Sequence, residues 1–247
     1  MSNNIITKLR DDSNYYGELG NQYLSNSDII QLLNYKFKEE SNTLDMLYGR
    51  YFHTLLLEPD KLSTKEHGYH IVDSSTRTTK KFKDYIQDHN LNPYNVLLEK
   101  DYEMVQTWAK RMLSNEIMRY DIEDFEAKKE EPAIGELFGV MFKGKADIVN
   151  DEFVIDLKTS SNIKSWNRSA DMYNYDSQAY IYQQLFDKPV KFYIIDKKTL
   201  NLKIATASEE TLLRGRDKVL KAIEIYKEYF AEGATGDVNQ VVEVVEF

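Results

Sequence analysis

The chain of 247 residues contains no cysteine. That excludes disulfides and any structural zinc or iron–sulfur site built on thiolates. Long apolar runs are also missing, and none approaches the ~20 residues that cross a bilayer. The opening residues, Met1-Ser2-Asn3-Asn4-Ile5-Ile6, lack the basic-then-apolar layout of a secretory signal. A reducing cytoplasm is the expected compartment, with no membrane association. Positive charge is in short supply: 32 Lys and Arg stand against 41 Asp and Glu, a net charge of −9. Proteins that coat nucleic acid by bulk electrostatics are usually basic, so that role is disfavoured. An enzyme with a local basic channel, and with carboxylates to hold a metal, is compatible with this balance.

What is present is enough for a core: 42% of residues are hydrophobic and 13% aromatic. One domain over residues 1–247 is the expectation. Residues 1–24 are polar and tyrosine-rich (Tyr15, Tyr16, Tyr23) and read as an extended arm. Ser25-Asn26-Ser27-Asp28 reads as a helix cap ahead of Ile29, Ile30, Leu32 and Leu33. The stripe Leu44, Leu47, Tyr51, Leu55, Leu56 predicts a helix over Thr43–Leu57, ended by Glu58-Pro59. Residues 60–79 read as a loop with a short strand at Tyr69–Val72, and Lys81–His89 and Tyr102–Leu113 as helices.

From residue 124 the pattern becomes strand-like at Phe125–Ala127, Leu137–Phe142, Ala146–Val149 and Phe153–Leu157, with Asn150-Asp151 a tight turn. A long helix over Met172–Phe186, strands over Val190–Ile195 and Leu202–Thr206, and a helix over Glu209–Phe230 follow. The tail after Gly233 ends in an apolar stretch, Val241–Phe247, readable as a docking segment or an edge strand. The order predicts an α/β (α+β) fold, a central mixed sheet flanked by helices behind a mainly helical stretch at 25–120. The sheet and its helices occupy 121–232.

The chemistry concentrates in Lys143-Gly144-Lys145-Ala146-Asp147 and, nine residues on, Asp156-Leu157-Lys158. In a strand, alternate side chains share a face, so Val154, Asp156 and Lys158 lie together. Asp156 follows Phe153-Val154-Ile155, a segment that reads as buried, and a buried acid is costly unless paired or metal-bound. Mg²⁺ takes oxygen ligands, commonly one or two carboxylates. Asp147 and Asp156 can supply carboxylates and the Leu157 carbonyl a further oxygen. Lys158 can orient a water or stabilise developing charge. Asp-x-Lys alone occurs by chance in many strands and turns. Arg77, Lys80 and Lys81 read either as a solvated loop and helix start or as a phosphate clamp along a DNA channel. Thr159, at the strand end beside Lys158, falls with the DNA-contacting candidates. His67, His70 and His89 have no companions at ligand spacing and read as surface residues.

Gly144-Lys145-Ala146-Asp147, Ile155-Asp156-Leu157-Lys158-Thr159 and Gln178-Ala179-Tyr180-Ile181-Tyr182 together resemble the PD-(D/E)XK nuclease superfamily. The closer likeness is to its RecB/RecE-type branch, which includes phage exodeoxyribonucleases. Gly49-Arg50-Tyr51-Phe52-His53 matches that branch's upstream Gly-x-x-x-His helix. The resemblance spans about Tyr15 to the last helix. Each piece is weak and the combination is specific. It implies a restriction-endonuclease-like core. It implies Asp147 and Asp156 as metal ligands, Lys158 as the catalytic lysine and His53 as a further ligand or water organiser. Gln178 and Tyr182, four apart on one helix face, would brace the site or touch DNA. An additional upstream acid is implied among Glu130, Glu131 and Glu136, with Glu131, before Pro132, the best placed. Ala146 stands where the superfamily's name has proline. The four-cysteine cluster of some relatives is absent, which removes those subfamilies.

The resulting expectation is a DNA exonuclease dependent on Mg²⁺, with two ions at the site and Mn²⁺ able to substitute. The resemblance further implies duplex DNA ends as substrate, single-stranded tails for phage-type recombination, a homo-oligomeric ring and a single-strand annealing partner. A ring could reconcile the −9 charge with DNA binding through a basic lumen. A structure-specific or restriction-like endonuclease, and a non-catalytic DNA-end-binding protein, are the alternatives.

Overall fold

The computed structural model describes residues 2–36, 43–63 and 69–238. Two short helices, α1 (Ser2–Leu9) and α2 (Asp12–Tyr15), open the chain, so the predicted extended arm is helical. Leu9 is fully buried, and the arm is tied to the sheet that follows it in the chain. Helix α3 (Asn26–Leu33) starts at a reciprocal cap between Ser25 and Asp28. Helix α4 (Leu44–Leu57) starts where the Thr43 hydroxyl accepts from the Met46 amide, as its sequence predicts.

A satellite unit follows. Strand β1 (His70–Val72), helix α5 (Lys80–Asp88) and strand β2 (Val96–Leu98) enclose Val72, Phe82, Val96 and Leu98. Helices α6 (Glu99–Leu113) and α7 (Glu116–Glu123) lead into the main sheet, and β2 and α7 were not foreseen.

That sheet consists of β3 (Lys128–Leu137), β4 (Val140–Val149), β5 (Val154–Ser160), β6 (Val190–Asp196) and β7 (Leu202–Thr206), in that spatial order. β5 and β6 run parallel and the other neighbours antiparallel, so the sheet is mixed as expected. The strands predicted at 125–127 and 137–142 are instead one hairpin, 128–137 paired with 140–149. Its turn is Phe138-Gly139, both at positive φ (53° and 78°), the geometry that matches strand twist in a two-residue hairpin loop. Between β5 and β6 run α8 (Trp166–Met172) and α9 (Tyr175–Phe186). The single helix predicted over Met172–Phe186 is broken by Asn174, which adopts left-handed backbone (φ 53°), a conformation asparagine tolerates. Helix α10 (Glu209–Tyr229) closes the described chain. Val241–Phe247, read as docking segment or edge strand, lies outside the described residues, as does His67.

The sheet separates two cores. One collects Val154, Phe192 and Ile194 with α3, α9 and α10; the other collects Ile155, Leu157 and Tyr193 with α4, α6 and α7. Strand alternation explains the division on β5.

Candidate metal centre

Strand β4 changes face in the middle. Ala146 packs in the α9 core, yet Ile148, two residues on, packs in the α4 core. Residues two apart in a regular strand share a face, so the switch falls at Asp147. Its cross-strand neighbour on β3, Glu130, has φ 47° and is skipped in the ladder between Lys129 and Glu131. On the other side β4 pairs with β5 only at Ile148–Ile155 and Val149–Val154. Beyond that point the Asp147 carboxylate takes over the ladder's role and accepts from the Leu157 amide at 2.6 Å. A buried N–H must find a partner, so this bond fixes the Asp147 carboxylate between the strands.

His53, on α4, bridges the same place. Its Nδ1 lies 3.2 Å from Asp147 Oδ1 and its Nε2 is 3.0 Å from the Leu157 carbonyl oxygen. Both partners are acceptors, so both ring nitrogens donate and the imidazole is cationic. Burial opposes that charge, but Asp147 outweighs it and raises the His53 pKa to about 9. Burial likewise opposes ionisation of Asp147, and His53 outweighs it, so the carboxyl sits below its ordinary range. Glu130 is pushed up to about 8, first by burial and then by Asp147. One ligand-type atom from each of His53, Glu130 and Asp147 falls within 4.8 Å of the others.

Asp156 adjoins this cluster. It accepts from Gln178 Nε2 at 2.6 Å and pairs with Lys158 Nζ at 2.5 Å. Burial raises its pKa despite Lys158, and Asp147 adds to the rise. Lys158 also has a raised pKa, because Asp156 overcomes the effect of burial, so it remains an ammonium. That ammonium stands 4.9 Å from the centroid of the Tyr175 ring. Tyr182 is buried and donates to the Lys145 carbonyl at 2.7 Å, fastening α9 to β4 two residues before Asp147.

His53, Asp147, Asp156, Leu157, Lys158 and Gln178 therefore come together from α4, β4, β5 and α9. Tyr182 adjoins them through its hydrogen bond to the Lys145 carbonyl. Glu131 does not join them. Its carboxylate pairs with Arg10 and, at 3.8 Å, with Lys128, because in β3 it points opposite to Glu130. Glu136 is exposed near the hairpin turn. Glu130 is the acid the structure places beside Asp147. Recognition of the Phe138-Gly139 turn would have found it: seven residues back from Leu137 and seven on from Val140 bring Glu130 opposite Asp147.

The expected DNA-contacting set is dispersed. Arg77 ties the satellite unit to α6, donating to the Val96 carbonyl at 3.1 Å and pairing with Asp101 at 2.7 Å. Lys81 pairs with Asp73 at 2.8 Å and Lys80 is exposed at the start of α5. Thr159 is half-buried on β5 and directly follows Lys158. His70 and His89, expected as solitary, share Tyr85: His70 Nδ1 is 3.1 Å from its hydroxyl and His89 stacks on its ring at 4.2 Å.

Asp147, Glu130 and the Leu157 carbonyl form a hard-oxygen donor set of the kind Mg²⁺ and Mn²⁺ accept. A divalent cation would favour the ionised form of Glu130, which burial first and Asp147 second now oppose. The residues present fit such an ion.

The family model of a PDDEXK-like domain of unknown function (DUF3799) matches residues 22–240. No curated protein matches the chain significantly in sequence. Among solved structures, a candidate exonuclease from Eubacterium rectale superposes with a TM-score of 0.57 at 17% identity, over 87% of this chain and 85% of that one. A phage-related exonuclease from Haemophilus somnus 129PT gives 0.32 at 17% identity, over 63% and 88%, a likeness too distant to bear on the argument. Among the described residues, no helix is long and apolar enough to cross a membrane.

Proposed function

Because this chain belongs to the PDDEXK-like family DUF3799, we propose that it is a divalent-metal-dependent deoxyribonuclease that degrades duplex DNA from its ends. The observation that carries the reading is the convergence of Asp147, Glu130 and His53 within 4.8 Å, beside the Asp156–Lys158 ion pair. A DNA-binding protein without catalysis has no use for two buried acids, a half-buried ammonium and a cationic histidine at one point. Each costs desolvation that only pairing or a metal offsets.

Asp147, Asp156, Glu130 and the Leu157 carbonyl would hold Mg²⁺, or Mn²⁺ in its place, with His53 at the margin. Bound there, the ion would polarise the phosphodiester and acidify a water. Lys158 keeps its proton and faces Asp156, so it can donate a hydrogen bond to a phosphate oxygen as negative charge develops. Gln178 holds Asp156 in place through Oδ1. Tyr182 fixes the β4 backbone through Lys145. His53 holds its protons toward Asp147 and the Leu157 carbonyl, the same oxygens that would hold the ion.

The decisive experiment follows degradation of linear duplex, labelled at either the 5′ or the 3′ end, with Mg²⁺. Closed circular plasmid serves as comparison and Asp156→Ala as the inactive reference. The proposal expects small products from linear DNA, intact circles and no activity in Asp156→Ala. Equal cleavage of circles would assign an endonuclease instead, and full activity of Asp156→Ala would remove the proposed centre. Assembly into a ring belongs to the same proposal and is read from the mass of the full chain in solution by light scattering.

A further inference from the structure

Tyr173 lies between α8 and α9, 51% exposed, next to Met172 at 58%. Its ring ends an aromatic series that runs from the core to the surface. Phe192 meets Trp166 at 5.8 Å, Trp166 stacks on Tyr175 at 5.2 Å with 22° between planes, and Tyr175 meets Tyr173 at 5.9 Å. The third ring of that series, Tyr175, is the one beneath the Lys158 ammonium. The exposed ring is therefore a single aromatic residue away from the lysine of the proposed centre.

The platform is rigidly mounted. The Tyr173 amide donates to Ser169 O at 2.9 Å and the Asn174 amide to Asp171 O at 3.2 Å. The Asn174 carbonyl accepts from Ser177 Oγ at 2.9 Å and from Asn26 Nδ2 at 3.4 Å. The left-handed backbone of Asn174 forces the turn that presents Tyr173 outward. Single exposed aromatics need no explanation by themselves. This one is backed by buried rings, held by its backbone and coupled to Lys158.

A phosphodiester next to Lys158 carries a nucleobase within reach of a neighbouring ring, and bases stack on exposed aromatics irrespective of sequence. Within a paired duplex both faces of an interior base are covered, so such a ring is available only to an unpaired or fraying nucleotide. We propose that Tyr173 is a positioning residue that stacks the base of an unpaired nucleotide flanking the phosphodiester presented to Lys158. The inference rests on the nuclease reading and adds a substrate form: a strand separated at the point of attack.

The test compares wild type, Tyr173→Ala and Tyr173→Phe on end-labelled DNA with Mg²⁺, using ends that carry either ordinary nucleotides or abasic ones. Tyr173→Ala is expected to raise KM by about tenfold, a loss within the range for one base stack, with the effect on KM rather than kcat. Tyr173→Phe should restore the wild-type value, since the ring and not the hydroxyl is used. Abasic ends should weaken wild type by a similar factor and leave Tyr173→Ala no worse than it already is. Equal KM for wild type and Tyr173→Ala, or an abasic penalty that persists in full in the variant, overturns the proposal. Thermal melts of each variant separate misfolding from loss of stacking.

In parallel, fluorescence anisotropy with a labelled single-stranded oligonucleotide in Ca²⁺ reads binding without turnover. A wild type that degrades nothing defeats the nuclease reading. The anisotropy comparison still decides whether Tyr173 holds a base: tighter binding by wild type than by Tyr173→Ala supports it, and equal binding rejects it.

Discussion

Glu130 stands directly across the β3–β4 hairpin from Asp147, in left-handed backbone, at the point where β4 turns its side chains from one core to the other. The pair gives the first prediction. Glu130→Gln should lower nuclease activity by at least about 100-fold, at or beyond the upper end of losses seen on altering groups that support a metal site. Its melting temperature should hold or rise, because the substitution removes a half-buried acid from beside a buried one. Glu131→Gln should do the reverse: activity within a few-fold of wild type, and stability reduced by about 1 kcal/mol as Arg10 loses its partner. The two variants assayed side by side, by activity and by melting, decide which acid serves the centre. An inactive Glu131→Gln with an active Glu130→Gln would reverse the assignment.

The contrast between these adjacent glutamates shows what the sequence carries. Asp147, Asp156 and Lys158 were legible because a motif names them and alternation places the latter two on one face. α4, β7 and α10 were legible because their caps and periodicity agree with their tertiary setting. Glu130, one of three candidate acids, was ranked behind Glu131 because the face switch at Asp147 follows from the hairpin register and the two cores rather than from the local residue pattern. The helix break at Asn174 was hidden for a related reason. Asn174 interrupts a run of otherwise helix-compatible residues, and its left-handed turn is stabilised by Asn26, 148 residues upstream. The helical arm was misread because its stability comes from the sheet: Asp12 pairs with Lys145, and the Tyr15 ring and carbonyl both meet Lys143.

In metal-free buffer, stability should fall as pH rises from about 5 to 9. Two groups set the sign. The folded-state pKa of His53 is raised to about 9, so its stabilising contribution is complete below its unfolded value near 6.5 and lost as pH rises through 9. Glu130, raised to about 8, holds a proton in the folded protein where the unfolded chain, titrating near 4.5, has released it, which gives the same direction. Together the two should amount to a few kcal/mol, about 1.4 kcal/mol for each pKa unit before screening. Thermal melts in EDTA across this range test the slope, and His53→Gln should flatten its upper part. A stability that climbs with pH in EDTA would contradict the assigned charges.

Divalent metal should invert that profile. Ligands must shed protons to bind, so Mg²⁺ or Mn²⁺ should raise the melting temperature more at pH 8 than at pH 6. At about 100 times Kd the gain corresponds to about 2.7 kcal/mol. Asp147→Asn should abolish the gain without unfolding the chain, since its amide can still meet the Leu157 backbone. A full metal response in that variant would place the ion elsewhere.

The Asp156–Lys158 pair makes the last prediction the most discriminating. Lys158→Met removes the ammonium and leaves Asp156 buried, with Gln178 as its remaining side-chain partner among the described residues. Breaking a buried pair in this way costs about 3–5 kcal/mol. Asp156 should answer by taking up a proton, because burial already raises its pKa and the charge that opposed the rise has gone. Mg²⁺ can substitute electrostatically for the lost ammonium, so added metal should recover much of the stability of Lys158→Met at pH 8. It should recover none of the activity, because the hydrogen-bond donor to the phosphate is absent. Melting curves and DNA degradation measured on the same samples separate the two roles. If metal restores both, Lys158 serves only to neutralise Asp156. If it restores neither, Asp156 does not share the cation with Asp147.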